Sequence, residues 1–186
     1  MRKFGKWDEV KTNITSRYSS FGITVNIDDL TPFYSSMPGG TGWPGTYQLG
    51  TSSADYAGGV ATDSSGNVYV TGSTYRNLDG NTSAGNADLF VVKYNASGSK
   101  QWTRQLGSSS RDSANGVATD SSGNIYVTGT TYWELDGNTS AGKADLFVVK
   151  YDSSGTWQWT KQNGTDRYDE AIGVATDSSG NVYVTG

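Results

Sequence analysis

The stretch Gly59-Val-Ala-Thr-Asp-Ser-Ser-Gly-Asn-Val-Tyr-Val-Thr-Gly72 returns at Gly116–Gly129 with one change, Val68 to Ile125, and again at Val174–Gly186. Val60, Val117 and Val174 mark the beat, each 57 residues after the last, and 40 of the 57 positions in 60–116 are identical in 117–173. A period of this order marks a repeat architecture, in which each unit buries its apolar face on its neighbours. The repeat therefore constrains the fold before any single motif does.

Each copy parses into four strands. Gly59–Thr62 and Asn67–Thr71 flank Asp63-Ser-Ser-Gly66, which fits a hairpin on a type I turn with glycine in the left-handed position. Asp88–Tyr94 follows, then a second turn of the same chemistry, Asn95-Ala-Ser-Gly98, and a fourth strand at Gln101–Leu106. Along Asp88–Tyr94 the side chains of Phe90, Val92 and Tyr94 fall on one face and those of Leu89 and Val91 on the other. Both faces are apolar, so the small sheet is expected to be covered on both sides. Four-stranded antiparallel sheets stacked between like sheets are propeller blades.

Those strings, with Asp88-Leu-Phe-Val-Val-Lys-Tyr94 and Gln101-Trp-Thr-Arg-Gln-Leu-Gly107 after them, resemble the bacterial β-propeller repeat family called SBBP. The resemblance runs from Thr46 to the end. It implies propeller blades in bacterial, often surface or exported, proteins and in some viral ones, and it implies no catalytic residues.

The expected organisation is a docking arm and connector over 1–45 and blades over 46–186. Full repeats occupy 60–116 and 117–173, and partial ones 46–59 and 174–186. Trp7, Val10, Ile14, Tyr18 and Phe21 are spaced as an amphipathic helix, Ile23–Ile27 alternates as a strand, and Pro38–Gly45 is an irregular connector. The repeat phase opens on a fourth-type strand at Thr46–Gly50 and closes after a second-type strand. A closed propeller has about four to eight blades, so two and a half repeats form a partial one. Copies of the chain completing one ring, the arm or another structural protein covering the open faces, and a longer polypeptide are the three expected ways to finish it. The fold class is all-β: four-stranded antiparallel blades of a partial propeller with an irregular N-terminal arm.

Composition narrows the chemistry. The chain has no His and no Cys, which removes Ser-His-Asp and Cys-His nucleophiles, disulfides and the usual zinc sites. A net charge of −4 with no basic stripe argues against nucleic acid as a partner. No apolar run reaches the 18 residues of a membrane span, and Met1–Glu9 lacks the apolar core of a secretory signal. Asp63, Asp120 and Asp177 hold one turn position in every copy, which suits turns rather than the single asymmetric carboxylate pair of a glycosidase. No enzymatic activity is expected.

Two candidate sites remain. Asp79, Asn81, Ser83 and Asp88, with their counterparts Asp136, Asn138, Ser140 and Asp145, offer the hard oxygens that calcium prefers, but their spacing departs from the EF-hand loop. The alternative is that they shape a long loop through Asx-turns, and no cofactor is expected beyond that calcium candidate. Positions that differ between copies are free of the scaffold's demands. Among them Trp133, Trp157 and Tyr168, with Tyr132, form a candidate aromatic platform for a partner protein or a sugar ring. The functional expectation is a structural or interaction subunit of a larger assembly, a virion accessory component by preference, placed on a virion or cell surface. A surface carbohydrate-binding module is the alternative.

Overall fold

The structure, a computed structural model, describes residues 47–186. The expected arm helix over Trp7–Phe21, the strand at Ile23–Ile27 and the connector lie outside the described residues. The strands are β1 (Asp55–Thr62), β2 (Val68–Thr74), β3 (Asp88–Tyr94), β4 (Lys100–Leu106), β5 (Asp112–Thr119), β6 (Ile125–Thr131), β7 (Asp145–Tyr151), β8 (Trp157–Asn163), β9 (Gly173–Thr176) and β10 (Val182–Thr185). They form two four-stranded antiparallel sheets, β1-β2-β3-β4 and β5-β6-β7-β8, followed by the pair β9-β10. Blades 1 and 2 are thus complete, and blade 3 contributes two strands.

The hairpin turns work as the sequence leads one to expect, with additional locking. Gly66, Gly123 and Gly180 adopt φ of +77°, +78° and +83°, a region that costs other residues dearly. One Asp63 oxygen accepts the Ser65 and Asn67 amides (2.9 and 3.0 Å), and the other accepts Asn67 Nδ2 and the Tyr69 hydroxyl (2.7 and 2.9 Å). Asp120 is bound in the same way by Ser122, Asn124 and Tyr126. Partial burial opposes ionisation of Asp63 and Asp120, but these donors outweigh it and hold both carboxyls below their ordinary range. In blade 3 the Asn181 side chain and amide, aided by Tyr183 and Ser179, hold Asp177 at about 2.

Alternation along β3 is borne out. Leu89 and Val91 are fully buried in the cluster between blades 1 and 2, while Phe90, Val92 and Tyr94 bury on the opposite face with Leu78. Across the junction, Tyr69, Leu89 and Val91 meet Ile125, Val127, Phe147, Val149 and Tyr151, with Trp102 and Leu106 at the margin. Lys93 Nζ and Arg104 Nε reach over to the Ser153 and Gly155 carbonyls at 3.0 and 2.7 Å. Trp102 and Trp159 pack beside Tyr69 and Tyr126 (ring centroids 6.1 and 6.2 Å), as recurring blade tryptophans should.

Strands β1, β5 and β9 follow one another along the inner edge. The Thr119 hydroxyl donates to the Thr62 carbonyl (3.0 Å), and the Thr176 hydroxyl to the Thr119 carbonyl (2.9 Å), one repeat apart each time. A Cβ on Gly58 would lie 2.1 Å from the Ala114 carbonyl oxygen, so this approach requires glycine.

Several boundaries differ from expectation: β2 runs from Val68 to Thr74 rather than from Asn67 to Thr71, and β4 starts at Lys100 rather than Gln101. In blades 1 and 2 the first strand begins four residues before the expected glycine, at Asp55 in β1 and Asp112 in β5, because a bulge (between Ala57 and Gly59 in β1) absorbs one residue and the pairing resumes beyond it, whereas β9 of blade 3 begins at Gly173. Residues 47–50 form no strand. A ladder needs a neighbour to bond to, and no third-type strand precedes this segment among the described residues. Leu49 packs instead on the Phe90 and Val92 face.

Candidate functional site

The long loops after β2 and β6 are folded back along the outer strand of their own blade. Leu78 buries on the Phe90 face, and its amide donates to Gln105 Oε1 at 2.8 Å; Leu135 does the same with Gln162 at 2.9 Å. Asn81 Nδ2 donates to the Leu78 and Thr103 carbonyls (2.9 and 3.4 Å). Asp79 accepts from the Thr103 hydroxyl at 2.6 Å and pairs with Lys100. Its carboxyl is held low first by Lys100 and then by Thr103. These contacts lay the loop on the Phe90 face of β4 and meet one carbonyl, that of Thr103, along its outer edge. The buried loop leucines were missed in the sequence reading. A lone leucine in a polar loop, repeated at the same offset, was the signal available.

Beneath each loop lies a buried carboxylate. Asp88 Oδ2 accepts the Ala84 amide (2.9 Å) and Gln105 Nε2 (2.7 Å), and Asp145 repeats this with Ala141 and Gln162. Across the blade junction Asp112 Oδ2 accepts the Ser108 amide and hydroxyl at 2.6 and 2.9 Å. Asp88, Asp112 and Asp145 are fully buried, and Oδ1 of each has no hydrogen-bond partner. Burial raises the Asp112 carboxyl above its usual range, and the Asp88 charge adds to that. The Thr131 hydroxyl and the Ser108 contacts oppose the shift without cancelling it.

A raised carboxyl stabilises the fold fully below its unfolded value and loses that contribution as pH rises through the folded one. Asp112→Asn keeps an acceptor for Ser108 and removes the charge. Its Nδ2 then takes the place of the unpaired Oδ1 and is itself a donor without an acceptor, so the variant gains only from the lost charge. Relative to wild type it is therefore expected to be more stable at pH 7 than at pH 4. Melting curves at several pH values check this, and a stability difference that does not change between pH 4 and 7 contradicts it.

At the long-loop end, where the inner strands meet, two concavities open side by side. One, of about 270 Å³, is lined by Tyr56, Ser73, Arg111 and Asn115 at the first junction. The other, of about 170 Å³, is lined by Arg111, Asn115, Thr130, Tyr132, Tyr168 and Glu170 at the second. Tyr132 and Tyr168 stand edge to face with centroids 6.4 Å apart, and Lys143 Nζ lies 5.5 Å from the Tyr168 ring. A third hollow, of about 290 Å³ and mainly apolar, lies over Val70, Phe90 and Val92 on the other face of blade 1.

The model of the β-propeller repeat family SBBP matches residues 46–79, 101–132 and 158–186. The chain belongs to the SBBP β-propeller repeat family. Its relatives include regulatory protein FlaEY of Caulobacter vibrioides, 31% identical over 139 residues, which cover 67% of this chain and 15% of that protein. A WD repeat-containing protein of Acanthamoeba polyphaga mimivirus is 28% identical over 113 residues, 55% of this chain and 8% of that protein. The chain therefore spans a small part of the length of these relatives. The first is named as a regulatory protein and the second as a repeat-containing one.

The SBBP blades separate the candidate residues into groups. Tyr132, Trp133 and Tyr168 share the long-loop end, whereas Trp157 pairs with Tyr151 at the opposite end of β7-β8 and donates to Thr160 (3.0 Å). The platform is therefore three aromatics with Trp157 apart from them. Trp7, Val10, Ile14, Tyr18 and Phe21 lie outside the described residues. Of the calcium candidates, Asp79 is occupied by Lys100 and Thr103, Asn81 and Asn138 direct their amides to backbone carbonyls, and the Ser83 and Ser140 hydroxyls donate to Gly85 and Gly142. Asp88 and Asp145 are buried beneath the loops, and Asp136 sits at φ 53° as Asp79 sits at 52°. Among the described residues no three acidic side chains gather as a metal site would require, and no helix is long and apolar enough to cross a membrane.

Proposed function

We propose that the chain is a non-enzymatic structural and interaction subunit whose blade faces bind further blades, from copies of itself or from other structural proteins of a larger assembly. One observation carries this reading. Tyr69, Tyr126 and Tyr183 occupy one repeat position; the first two are 0% and 3% exposed, and the third is 56% exposed. Likewise Leu89 and Val91 are buried at the first junction, while Leu146 and Val148 are half-buried at the second. The surface that blade 1 uses to hold blade 2 is thus partly uncovered one repeat later, with Ile172 also exposed beside it. Burying one such aromatic contributes about 2–3 kcal/mol, so a few suffice to seat a partner.

A virion accessory component, on a virion or a cell surface, is the setting that best suits such a subunit. The mimivirus relative supports the viral setting, and the name of the FlaEY relative supports a regulatory scaffold. Mass measurement in solution tests the assembly reading. The expected result is a defined oligomer that Tyr183→Asp weakens at least tenfold; a wild-type chain that stays monomeric at high micromolar concentration overturns self-assembly. Mass spectrometry of purified particles tests the virion setting.

A further inference from the structure

Once blades are taken to bind copies of the chain, as the assembly reading holds, the two internal junctions say which faces meet. At the first junction β1 and β2 lie over β5, and Val117 of β5 is only 8% exposed. Its equivalent one repeat earlier, Val60, is 67% exposed. Val60 pairs with Val70 and Val70 with Val92, so the three share one face, beside the apolar hollow of about 290 Å³. The outer half of that face is already filled. Leu49 packs on Phe90 and Val92, as Leu106 packs on the cluster that holds Phe147 and Val149. The Thr51 amide donates to Asp55 Oδ2 (2.7 Å) as the Ser108 amide does to Asp112 Oδ2 (2.6 Å). Residues 49–55 thus lie against blade 1 as the end of a fourth strand lies against the blade after it. What is uncovered is the inner half, over β1, where strands of the first and second type belong. The pair β9-β10 is of that type, and it carries the exposed Tyr183.

The inner edge gives a second, independent signal. At the second junction Asn115 Nδ2 donates to Glu170 Oε1 and to the Ala171 carbonyl, at 3.1 and 2.9 Å. At the first junction the equivalent contact is Gly58 against Ala114. Ile172 lies one repeat after Asn115, and Tyr56 and Ala57 lie two repeats before Glu170 and Ala171. The same contact between two copies would therefore set Ile172 of one on Tyr56 and Ala57 of the next. Ile172 is 63% exposed and Tyr56 58%. The polar pair Asn115–Glu170 inside the chain becomes an apolar pair where two copies would meet, and both members change together.

We infer that the blade 3 face bearing Ile172 and Tyr183 seats on the blade 1 face bearing Tyr56 and Val60 of a second copy. Ile172 covers Tyr56, and Tyr183 enters the hollow beside Val60. The threonine ties continue in register: Thr119 donates to the Thr62 carbonyl and Thr176 to that of Thr119, so the exposed Thr62 hydroxyl donates to the Thr176 carbonyl of the neighbouring copy. Two different surfaces meet in this contact, so it builds a ring or a filament rather than a two-fold dimer. Pairing of two blade 3 faces would leave Tyr56 and Val60 uncovered.

The test is sedimentation of wild type, Tyr56→Asp, Val60→Asp and Ile172→Asp, alone and mixed. Each variant alone is expected to associate at least roughly tenfold more weakly than wild type, since a buried carboxylate without a partner opposes the contact. Mixing Tyr56→Asp with Ile172→Asp brings together one intact face from each, and a heterodimer of wild-type affinity is expected. Its formation also shows that both variants are folded, and Val60→Asp in place of Tyr56→Asp is expected to give the same result. If Ile172→Asp alone loses assembly while Tyr56→Asp and Val60→Asp keep it, the head-to-tail contact is overturned and the assembly reading stands. A mixture that stays monomeric where the wild type assembles overturns it as well. A wild type that is itself monomeric at high micromolar concentration overturns this contact together with self-assembly, and leaves blade 1 to a blade of another structural protein.

Discussion

Phe147→Ala is expected to lower stability by about 3–5 kcal/mol, the range for deleting a buried aromatic ring. Phe147 is fully buried on β7 in the cluster that also takes Tyr69, Leu89 and Val91 from the neighbouring sheet. The cavity left behind is walled by two sheets whose strands are tied to their own neighbours, so neither collapses readily into the space. For a chain of this length that loss corresponds to a fall in Tm of about 6–20 °C. In a stack of repeats stability is shared between each unit and its interface with the next, so both blades are expected to melt together at the lower temperature. The matching change in blade 1, Phe90→Ala, removes the same ring from a smaller cluster of Leu78, Val92 and Tyr94, and its cost should be lower. Thermal and urea unfolding of the two variants decide the matter. Equal losses, or less than 1 kcal/mol for Phe147→Ala, would show that the junction is not the seat of the stability (each 1 kcal/mol being about 2–4 °C).

Gly129→Ala is the second large effect, and its cause is different. A Cβ at this position would stand 1.9 Å from the Ser113 carbonyl oxygen and 2.8 Å from the Ala114 Cα, both backbone atoms of the paired strand. No rotamer relieves a backbone contact, so β5 and β6 must part beside the bulge between Ala114 and Gly116. The expected loss is about 3 kcal/mol or more, the upper end for overpacking. Gly137→Ala is the control. Gly137 has φ +75° but open space around its Cα, so only left-handed strain of about 1–2 kcal/mol applies. If the two variants melt alike, close strand packing is not what requires glycine at 129.

Much of the blade was legible in the residues. Asp88–Tyr94 was assigned to its observed bounds because two-residue alternation is a local property of the chain, as is the left-handed glycine that closes each turn. The start of β1 was not legible, since Gly58-Gly59 reads as a break and only pairing with β2 shows it to be a bulge. The long loop was legible as Asx chemistry in general, but not as a layer on the Phe90 face of β4. That role depends on Leu78 finding the sheet face and on Gln105 and Thr103 lying opposite it.

The candidate site divides in the same way. Divergence between copies pointed to Tyr132, Trp133, Trp157 and Tyr168 as one group, because aligned repeats reveal freedom from the scaffold and nothing about position. The strand register then sends Trp157 to the opposite end and brings Tyr168 onto Tyr132.

The sequence by itself determined the repeat, the four-stranded blade, its turns and its family, because each follows from residues within a few positions of one another, repeated at a fixed period. The tertiary structure alone decided which surfaces meet. Residues one repeat apart in the chain, such as Thr62 and Thr119 or Thr119 and Thr176, become neighbours only when blades stack. Side chains that look alike in three copies are buried in two and exposed in the third, because burial depends on what packs against a face and not on the face itself.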